Sequence, residues 1–391
     1  MRRYTRRYMS TLIACVALLA ALPASAQIKI GFVATMSGPA GVLGQDMYDG
    51  FMLGIEHSGG RLGGQAVQVI REDDQLKPDV ATTLAQRLIE KERVPVIVGV
   101  TFSNVLMAIY KPVVDANVFL IGTNAGPSPI AGKMCSPLFF STSWVNDNIF
   151  EGVGQYATTT GFKRMVIMGP NYQAGKDALS GFKRFYKGQV IDEVYTQLNQ
   201  PDYSAEIAQL QSKNPDAVFV FYPGGMGINF IKQYQQAGLL GRIPLLSGST
   251  VDGANLPALK EVAIGVLSSA QWGPDLDNPV SRKFVDGFEK KHGRIPSNYA
   301  AQSYDAALLL DSALRKVRGN VSDRKAFGEA LKAADFQATR GAFKFNNNNF
   351  PIQDFYLFDV GRDAKGRVSL VTRAKVFTNH QDSYHADCPM K

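Results

Sequence analysis

The chain has 391 residues, of which 45% are hydrophobic and 19% are charged, and its formal net charge is +8. This composition is typical of a globular protein, and the length exceeds one ordinary hydrophobic core, so two domains are predicted. The basic residues form no tail or Lys/Arg-rich run, which excludes the charge pattern of a nucleic-acid-binding protein.

The N-terminus has the three parts of a secretory signal. Four arginines lie within residues 1–7, an apolar run covers residues 12–22, and Pro23-Ala24-Ser25-Ala26 forms a small-residue cleavage site. The run is shorter than the roughly 20 apolar residues of a membrane-spanning helix. We therefore predict that residues 1–26 direct the chain to the periplasm and are then removed, which lowers the net charge from +8 to +4.

Two details of this segment can each be interpreted in two ways. Residues 5–9 resemble a twin-arginine signal, but the basic start of an ordinary secretory signal is favoured. Cys15 precedes most of the apolar run, so we interpret it as part of the signal and not as a lipid attachment site.

Cleavage would leave two cysteines, Cys135 and Cys388. Two thiols in an oxidising compartment usually pair, and this pair would tie the C-terminus to a loop near residue 135. The alternative is two unpaired thiols. Two cysteines alone do not make a structural zinc site, and neither a metal nor a cofactor is predicted.

Apolar strands alternate with amphipathic helices along the first part of the mature chain. In the first helix Met47, Phe51 and Ile55 share one face. Such βαβ units imply a parallel sheet that is covered on both faces. The predicted strands are residues 28–35, 66–72, 96–100 and 119–122, and the predicted helices are residues 44–57, 78–92 and 104–116.

The alternation restarts after residue 145 and ends in a helix-rich section. The late helices have no sheet of their own, so we expect them to pack on the first sheet. The chain would then cross between two units three times, near residues 141–144, 271–274 and 349–355, and several crossings make a hinge. The predicted strands are residues 164–168, 190–196, 217–221, 244–247, 355–360 and 368–377. The predicted helices are residues 147–161, 176–186, 203–213, 227–237, 279–292, 298–315 and 323–333.

Several segments together resemble the type I periplasmic binding proteins, and among these the Leu/Ile/Val-binding branch. They follow the order of the family and span nearly the whole mature chain. They are Met36-Ser37-Gly38-Pro39, residues 94–104 (VPVIVGVTFSN), 118–128 (VFLIGTNAGPS), 171–182 (NYQAGKDALSGF), 214–225 (NPDAVFVFYPGG) and 296–310 (PSNYAAQSYDAALLL).

The resemblance implies an α/β fold of two Rossmann-like lobes joined by a three-segment hinge. Lobe 1 would comprise residues 27–142 plus 274–351, lobe 2 residues 143–273 plus 352–379, and residues 380–391 a tail tied back by the disulfide. It also implies a monomeric, non-enzymatic periplasmic receptor that passes its ligand to the permease and ATPase of an ABC importer.

The resemblance further implies two loops that bind the ligand carboxylate. Ser103 and Asn104 match the first, a strand-to-helix turn. Thr123, Asn124 and Ala125 match the second, with the backbone N–H groups of Asn124 and Ala125 directed at the carboxylate. The residues support the first loop independently, because a hydroxyl and free N–H groups at a helix N-terminus form an anion site, although Ser103 could be only an N-cap.

The second lobe departs from the pattern of amino-acid receptors. Tyr172 and Tyr222 match aromatic positions at the pocket, but Ser249 lies where amino-acid binders place a nearby glutamate, and only Asp252 is close in sequence. A buried ammonium without a counter-charge costs several kcal/mol, so a carboxylate without an amine is favoured. Residues 131–144 and Cys388 also resemble receptors for benzoate-like and phenylpropanoid acids. An aromatic or other hydrophobic carboxylate is therefore the preferred ligand, with branched-chain amino acids as the alternative.

Enzymatic functions are less well supported by the sequence. Residues 169–177 (GPNYQAGKD) lack the glycine spacing and the Ser/Thr of a phosphate-binding loop. The four histidines show no HExxH spacing, and no GxSxG motif occurs. An extracytoplasmic sensor for a signalling partner stays open, because its fold and pocket would look the same.

Overall fold

A computed structural model describes residues 27–390. The predicted signal segment, with its arginines and Cys15, therefore lies outside the described residues. Within residues 27–390 no helix has both the length and the apolar character needed to cross a membrane.

Five strands form a first sheet in which every pair is parallel. The strands are β1 (Ile28–Ala34), β2 (Val67–Asp73), β3 (Val96–Gly99), β4 (Phe119–Gly122) and β5 (Phe139–Ser141), in the spatial order β2-β1-β3-β4-β5. The helices between them are α1 (Gly41–His57), α2 (Pro78–Glu90), α3 (Ser103–Asp115) and the single turn α4 (Ser128–Ala131). β3 and β4 are buried along their whole length, as expected for strands covered by helices on both faces.

A second sheet begins with five parallel strands and ends with antiparallel ones. The strands are β6 (Arg164–Pro170), β7 (Gln189–Thr196), β8 (Ala217–Val220), β9 (Leu245–Ser247), β10 (Leu267–Ala270), β13 (Lys344–Phe345), β14 (Pro351–Arg362) and β15 (Val368–His380). Their order is β13-β14-β10-β9-β8-β6-β7, with β15 paired to β14. The helices are α5 (Asn148–Thr160), α6 (Gln173–Phe185), α7 (Ser204–Lys213), α8 (Gly225–Gln236) and α9 (Leu256–Leu259). A separate hairpin consists of β11 (Gln337–Ala338) and β12 (Gly341–Ala342).

The late helices pack on the first sheet's layer, as predicted. They are α10 (Pro279–His292), α11 (Asn298–Lys316) and α12 (Arg324–Ala333). α11 runs along α1, and α12 lies against α11. Helices α1 and α11 approach each other so closely at Gly50 of α1 that a Cβ there would collide with the carbonyl oxygen of Ala300 in α11. Glycine is the residue that permits such contact between two helix backbones.

The chain crosses between the two sheets three times, after β5, after β10 and before β13. This architecture confirms the predicted fold of two α/β lobes joined by a three-segment hinge. The residue boundaries given above for each lobe stay a prediction.

One buried arginine connects the first and third crossings. The guanidinium of Arg340 donates to the carbonyl oxygens of Thr142 and Ser143, the latter at 3.2 Å. It also donates to Oε1 of Gln353 at 2.5 Å, and lies 3.4 Å from the carboxylate of Asp305 on α11. A charge at this depth is tolerated because carbonyls and a carboxylate surround it.

Five strands were not predicted from the sequence, namely β5, β10 and the two-residue strands β11, β12 and β13, and two helices start three residues earlier than predicted. β5 has only three residues, and β10 reads LSSA, so neither forms a recognisable apolar run. Ser268 in β10 is buried and donates from its hydroxyl to the carbonyl of Val251 at 3.1 Å. α1 begins at Gly41 and α6 at Gln173, each three residues before the predicted start, because no side-chain cap marks these ends.

The predicted disulfide is confirmed. Cys135 and Cys388 are bonded, with their Cα atoms 5.7 Å apart and 253 positions between them in sequence. The disulfide holds the C-terminal tail close to α4. Asn347 also contacts this tail, because its side-chain amide donates to the carbonyl oxygens of His385 and Met390.

The double substitution Cys135→Ser with Cys388→Ser should lower the free energy of unfolding by about 2–4 kcal/mol, because the cross-link restricts a long loop in the unfolded chain. Urea unfolding of the secreted protein followed by tryptophan fluorescence measures the effect. Reduction of the wild-type protein should reproduce the shift in midpoint, and reduction of the double variant should produce none. Equal midpoints for all these samples would contradict the stabilising role.

Candidate functional site

A cavity of about 370 Å³ lies between the two sheets, where strand ends of both lobes face each other. Ligand sites of α/β folds occupy this position because parallel strands present their carboxyl ends, and the loops that follow them, at one edge. The cavity is lined from lobe 1 by the loops after β3 and β4, and from lobe 2 by the loops after β6, β8 and β9.

The loop after β3 carries Thr101, Phe102 and Ser103 into the cavity. Val100, just before them, has a φ of 68° and its N–H donates to the carbonyl of Val33 at 2.7 Å. A left-handed β-branched residue is strained, and such strain is typical of functional loops. The left-handed backbone conformation of Val100 turns the chain sharply from the buried strand β3 into helix α3.

Ser103 is the first residue of α3, and Phe102 occupies the N-cap position without a side-chain cap bond. Ser103 is therefore not an N-cap. Because the first N–H groups of a helix lack intrahelical partners, they give this end of α3 a partial positive charge. The Ser103 side chain is only 1% exposed, and its Oγ accepts a hydrogen bond from Nδ2 of Asn146 at 3.0 Å. Its own proton stays available for another acceptor.

The loop after β4 contributes shape more than hydrogen bonds. The side-chain amide of Asn124 donates to the carbonyl of Thr101 at 2.6 Å, and its Oδ1 accepts from Gln302 at 2.9 Å. The N–H of Ala125 donates to the carbonyl of Val100 at 3.1 Å. The expectation that the Ala125 N–H grips a ligand carboxylate is therefore corrected, because that donor is already used.

Aromatic rings form most of the remaining wall. Tyr172 stacks on Phe221 with ring centroids 6.4 Å apart and contacts Phe102 across the gap at 6.1 Å. Burial raises the pKa of Tyr172 above its ordinary range, so its hydroxyl is neutral. The complete aromatic set is Phe102, Trp144, Phe150, Tyr172, Phe221 and Tyr299.

Ser249 presents a hydroxyl from the opposite wall. Its φ of 53° is left-handed, and its side chain is 3% exposed. The Ser249 oxygen lies beside the Tyr299 hydroxyl without a well-formed hydrogen bond to any described residue. A buried polar atom without a partner costs free energy, which a ligand group placed there would recover.

None of the described residues that line the cavity is acidic or basic. Asp252 is not among the lining residues; its Oδ1 accepts the N–H groups of Ala254 at 2.8 Å and Asn255 at 3.3 Å, while its Oδ2 is buried without a partner among the described residues. Burial raises the pKa of Asp252 to about 7, against the effect of these two hydrogen bonds.

The structure brings five of the eight predicted binding residues to the cavity and leaves three outside. Ser103, Asn124, Ala125, Tyr172 and Ser249 line it. Asn104, Thr123 and Tyr222 do not.

Local geometry explains the three residues that lie outside. Successive residues at a strand end point to opposite sides, so Phe221 takes the place expected for Tyr222. The Tyr222 ring packs on Tyr203 at 4.9 Å and Phe230 at 5.1 Å. Thr123 is fully buried, with its N–H bonded to Gly99 at 3.0 Å, and Asn104 lies one helical step, about 100°, away from Ser103.

The main residues that the sequence analysis missed are Trp144, Asn146, Phe150, Phe221 and Tyr299. Trp144 lies at the predicted first crossing, and that position was a usable signal. Tyr299 belongs to α11, and only the packing of α11 on lobe 1 brings it to the cavity.

Comparisons with known proteins agree with this architecture. Residues 27–366 match the periplasmic binding protein family. The Leu/Ile/Val-binding protein homolog 6 of Brucella melitensis is 28% identical over 350 residues, which cover 87% of this chain and 89% of that protein.

Two solved structures are similar over most of their length. A solute-binding protein of an ABC transporter from R. palustris, in complex with benzoate, has 31% identity and a TM-score of 0.88, covering 93% of this chain and 100% of that one. Another from Rhodopseudomonas palustris BisB5, in complex with 3,4-dihydroxybenzoic acid, has 28% identity and a TM-score of 0.84, covering 91% and 99%. These relatives are solute-binding proteins and not enzymes, which confirms the non-enzymatic prediction.

Asp252→Asn should flatten the dependence of thermal stability on pH. The raised pKa means that folded Asp252 keeps a proton, between pH 3.8 and about 7, that the unfolded chain has lost. Stability from this group is therefore full below that window and falls as pH rises through it. Melting temperatures from pH 4 to 8 should drop less for Asp252→Asn than for wild type, while the exposed control Asp286→Asn should keep the wild-type slope. Parallel curves for Asp252→Asn and wild type would contradict this assignment.

Proposed function

This chain belongs to the periplasmic binding protein family, as a solute-binding protein of the Leu/Ile/Val-binding type, and on that premise we propose that it captures a small aromatic carboxylate for import. The ligand would bind between the two lobes in the periplasm, after export by the signal in residues 1–26. The permease and ATPase of an ABC transporter would be its partners, and the receptor would act as a monomer.

One observation carries the choice of ligand: six aromatic side chains surround a cavity whose lining holds no ionised side chain. Rings of this size contact a flat aromatic body well, and stacked or edge-on pairs add stability beyond the area that they bury. A carboxylate would be met by the Ser103 hydroxyl and by the N-terminal turn of α3, which favours an anion through its free N–H groups.

An α-amino acid is less well supported as the ligand. Its ammonium would be buried among aromatic rings and neutral side chains, with no acid lining the described cavity. Removal of an ammonium from water without a counter-charge costs several kcal/mol. Similarity to the Brucella homologue, which is named for leucine, isoleucine and valine, keeps the branched-chain amino acids as the second candidate.

The proposed mechanism is closure of the lobes around the acid. The ligand carboxylate first meets Ser103 on lobe 1, and the hinge then brings Tyr172 and Phe221 of lobe 2 against its ring. Closure removes water from the cavity, which strengthens every remaining polar contact. The permease would bind the closed form, so ligand and permease would bias the same equilibrium.

A thermal-shift screen of the mature protein should identify the ligand class. We expect benzoate, 4-hydroxybenzoate or 4-coumarate to raise the melting temperature, because a ligand that binds only the folded state stabilises it. Leucine, isoleucine and valine at equal concentration should give no shift. Stabilisation by leucine without any response to the aromatic acids would overturn the proposal in favour of the second candidate.

Ser103→Ala should weaken binding of the stabilising acid by about 1.5–3 kcal/mol, the usual contribution of a hydrogen bond to a charged group. That loss corresponds to a roughly tenfold or larger rise in Kd, measured by isothermal titration calorimetry. Thr123→Ala is the matched control, since Thr123 is a buried hydroxyl residue from the other predicted loop and lies outside the cavity. Equal Kd values for Ser103→Ala and wild type would remove Ser103 from the site.

A further inference from the structure

We infer that Asn146 is a positioning residue that makes Ser103 a hydrogen-bond donor, and that it does so only when the lobes are closed. This inference rests on the proposed function, because it concerns how the same cavity selects a carboxylate. Asn146 lies between the first crossing and α5, lines the cavity and is 4% exposed.

The orientation of the Asn146 amide is determined by its neighbours. The backbone N–H of Gly126 points at Oδ1 from 3.0 Å, and a backbone N–H can only donate. The Nδ2 group must therefore face the other side, where it lies 3.0 Å from Oγ of Ser103 and 2.9 Å from Oδ2 of Asp177. Each of its two protons has an acceptor.

This orientation decides the role of the Ser103 hydroxyl. A hydroxyl has one proton and two acceptor positions. Because Asn146 donates to Ser103, the serine uses an acceptor position toward Asn146 and keeps its proton for the cavity. If an acceptor stood at position 146, the serine proton would turn toward it, and a ligand carboxylate would face lone pairs.

Asp177 couples this arrangement to lobe closure. It belongs to α6 in lobe 2, whereas Ser128 is the first residue of α4 in lobe 1. The Ser128 hydroxyl donates to Oδ1 of Asp177 at 2.7 Å, and Gln173 donates to the same oxygen at 2.8 Å. Asp177 is 4% exposed, and the donors recorded for its carboxylate among the described residues, Ser128, Asn146 and Gln173, are neutral. Hydrogen bonds from both lobes therefore stabilise this carboxylate in the closed state.

Opening of the hinge would separate α6 from Ser128 and rehydrate Asp177. By the predicted lobe boundaries Asn146 belongs to lobe 2 together with Asp177, so opening would break its hydrogen bonds with Gly126 and Ser103 of lobe 1, and Ser103 would lose its fixed partner. The Ser103 hydroxyl is thus held as a donor to the ligand carboxylate only when the closed lobes enclose the ligand. A neutral carboxamide of the same shape gains less from a serine donor than a carboxylate, because hydrogen bonds to charged groups are stronger.

The test compares 4-hydroxybenzoate with 4-hydroxybenzamide by calorimetry on the mature protein. Wild type should prefer the carboxylate. Asn146→Asp, which is nearly isosteric but presents acceptors, should weaken carboxylate binding at least tenfold and reduce or reverse the preference. Asn146→Ala, which adds no charge, should also reduce the preference. The exposed control Asn320→Asp adds the same charge far from the cavity and should leave both Kd values unchanged.

The possible results separate the two proposals. A wild-type protein that binds neither probe overturns the proposed function and this inference together. A wild-type preference for the carboxylate that both Asn146 variants retain, at the same ratio of Kd values, overturns the inference alone. Melting temperatures of the ligand-free variants check folding, and a fall in carboxylate preference with an unchanged melting temperature supports positioning over a structural role.

Discussion

A carboxylate taken out of water needs donors that are already in place, and in the proposed function the N-terminal turn of α3 would supply them without a cation. The strained Val100 and the short loop after it aim this turn at the cavity, so the buried Ser103 and the free N–H groups of the helix meet at one point. A fixed arginine would bind an anion more strongly, but it would also release the anion more slowly. Neutral donors suit a receptor that must release its ligand again.

The hinge gives the cavity its second wall. Arg340 connects the first and third crossings by hydrogen bonds to carbonyl oxygens and to Gln353. Gln302 of α11 donates a hydrogen bond to Asn124, which lines the cavity. These contacts place the hinge next to the cavity. Tyr172 and Asp177 belong to lobe 2 but contact Phe102 and Ser128 of lobe 1. Binding and closure therefore use neighbouring groups, which is how a ligand can shift the balance between open and closed forms.

The cavity also shows why amino-acid chemistry does not follow from family membership. Relatives named for branched-chain amino acids and a structure in complex with benzoate align over nearly the whole chain. The fold is therefore shared with proteins whose names give different ligands. Function in such a family resides in the site and not in the fold. In the proposed function the feature that favours an aromatic acid is the set of aromatic rings together with a described lining that holds no acid.

The sequence by itself determined the alternation of strands and helices, the presence of two α/β units, the return of the late helices to lobe 1 and the pairing of Cys135 with Cys388. These follow from apolar periodicity, length and the chemistry of thiols, which are local or compositional properties. It also assigned Ser103 to the site, through its strand-to-helix turn and the family resemblance, and Tyr172 through that resemblance alone. Only the tertiary structure decided that Phe221 and not Tyr222 faces the cavity, that Tyr299 reaches it from α11, and that Asn146 joins Ser103 to Asp177. Those facts depend on side-chain direction and on contacts between lobes distant in sequence, and periodicity along one chain carries no information about either.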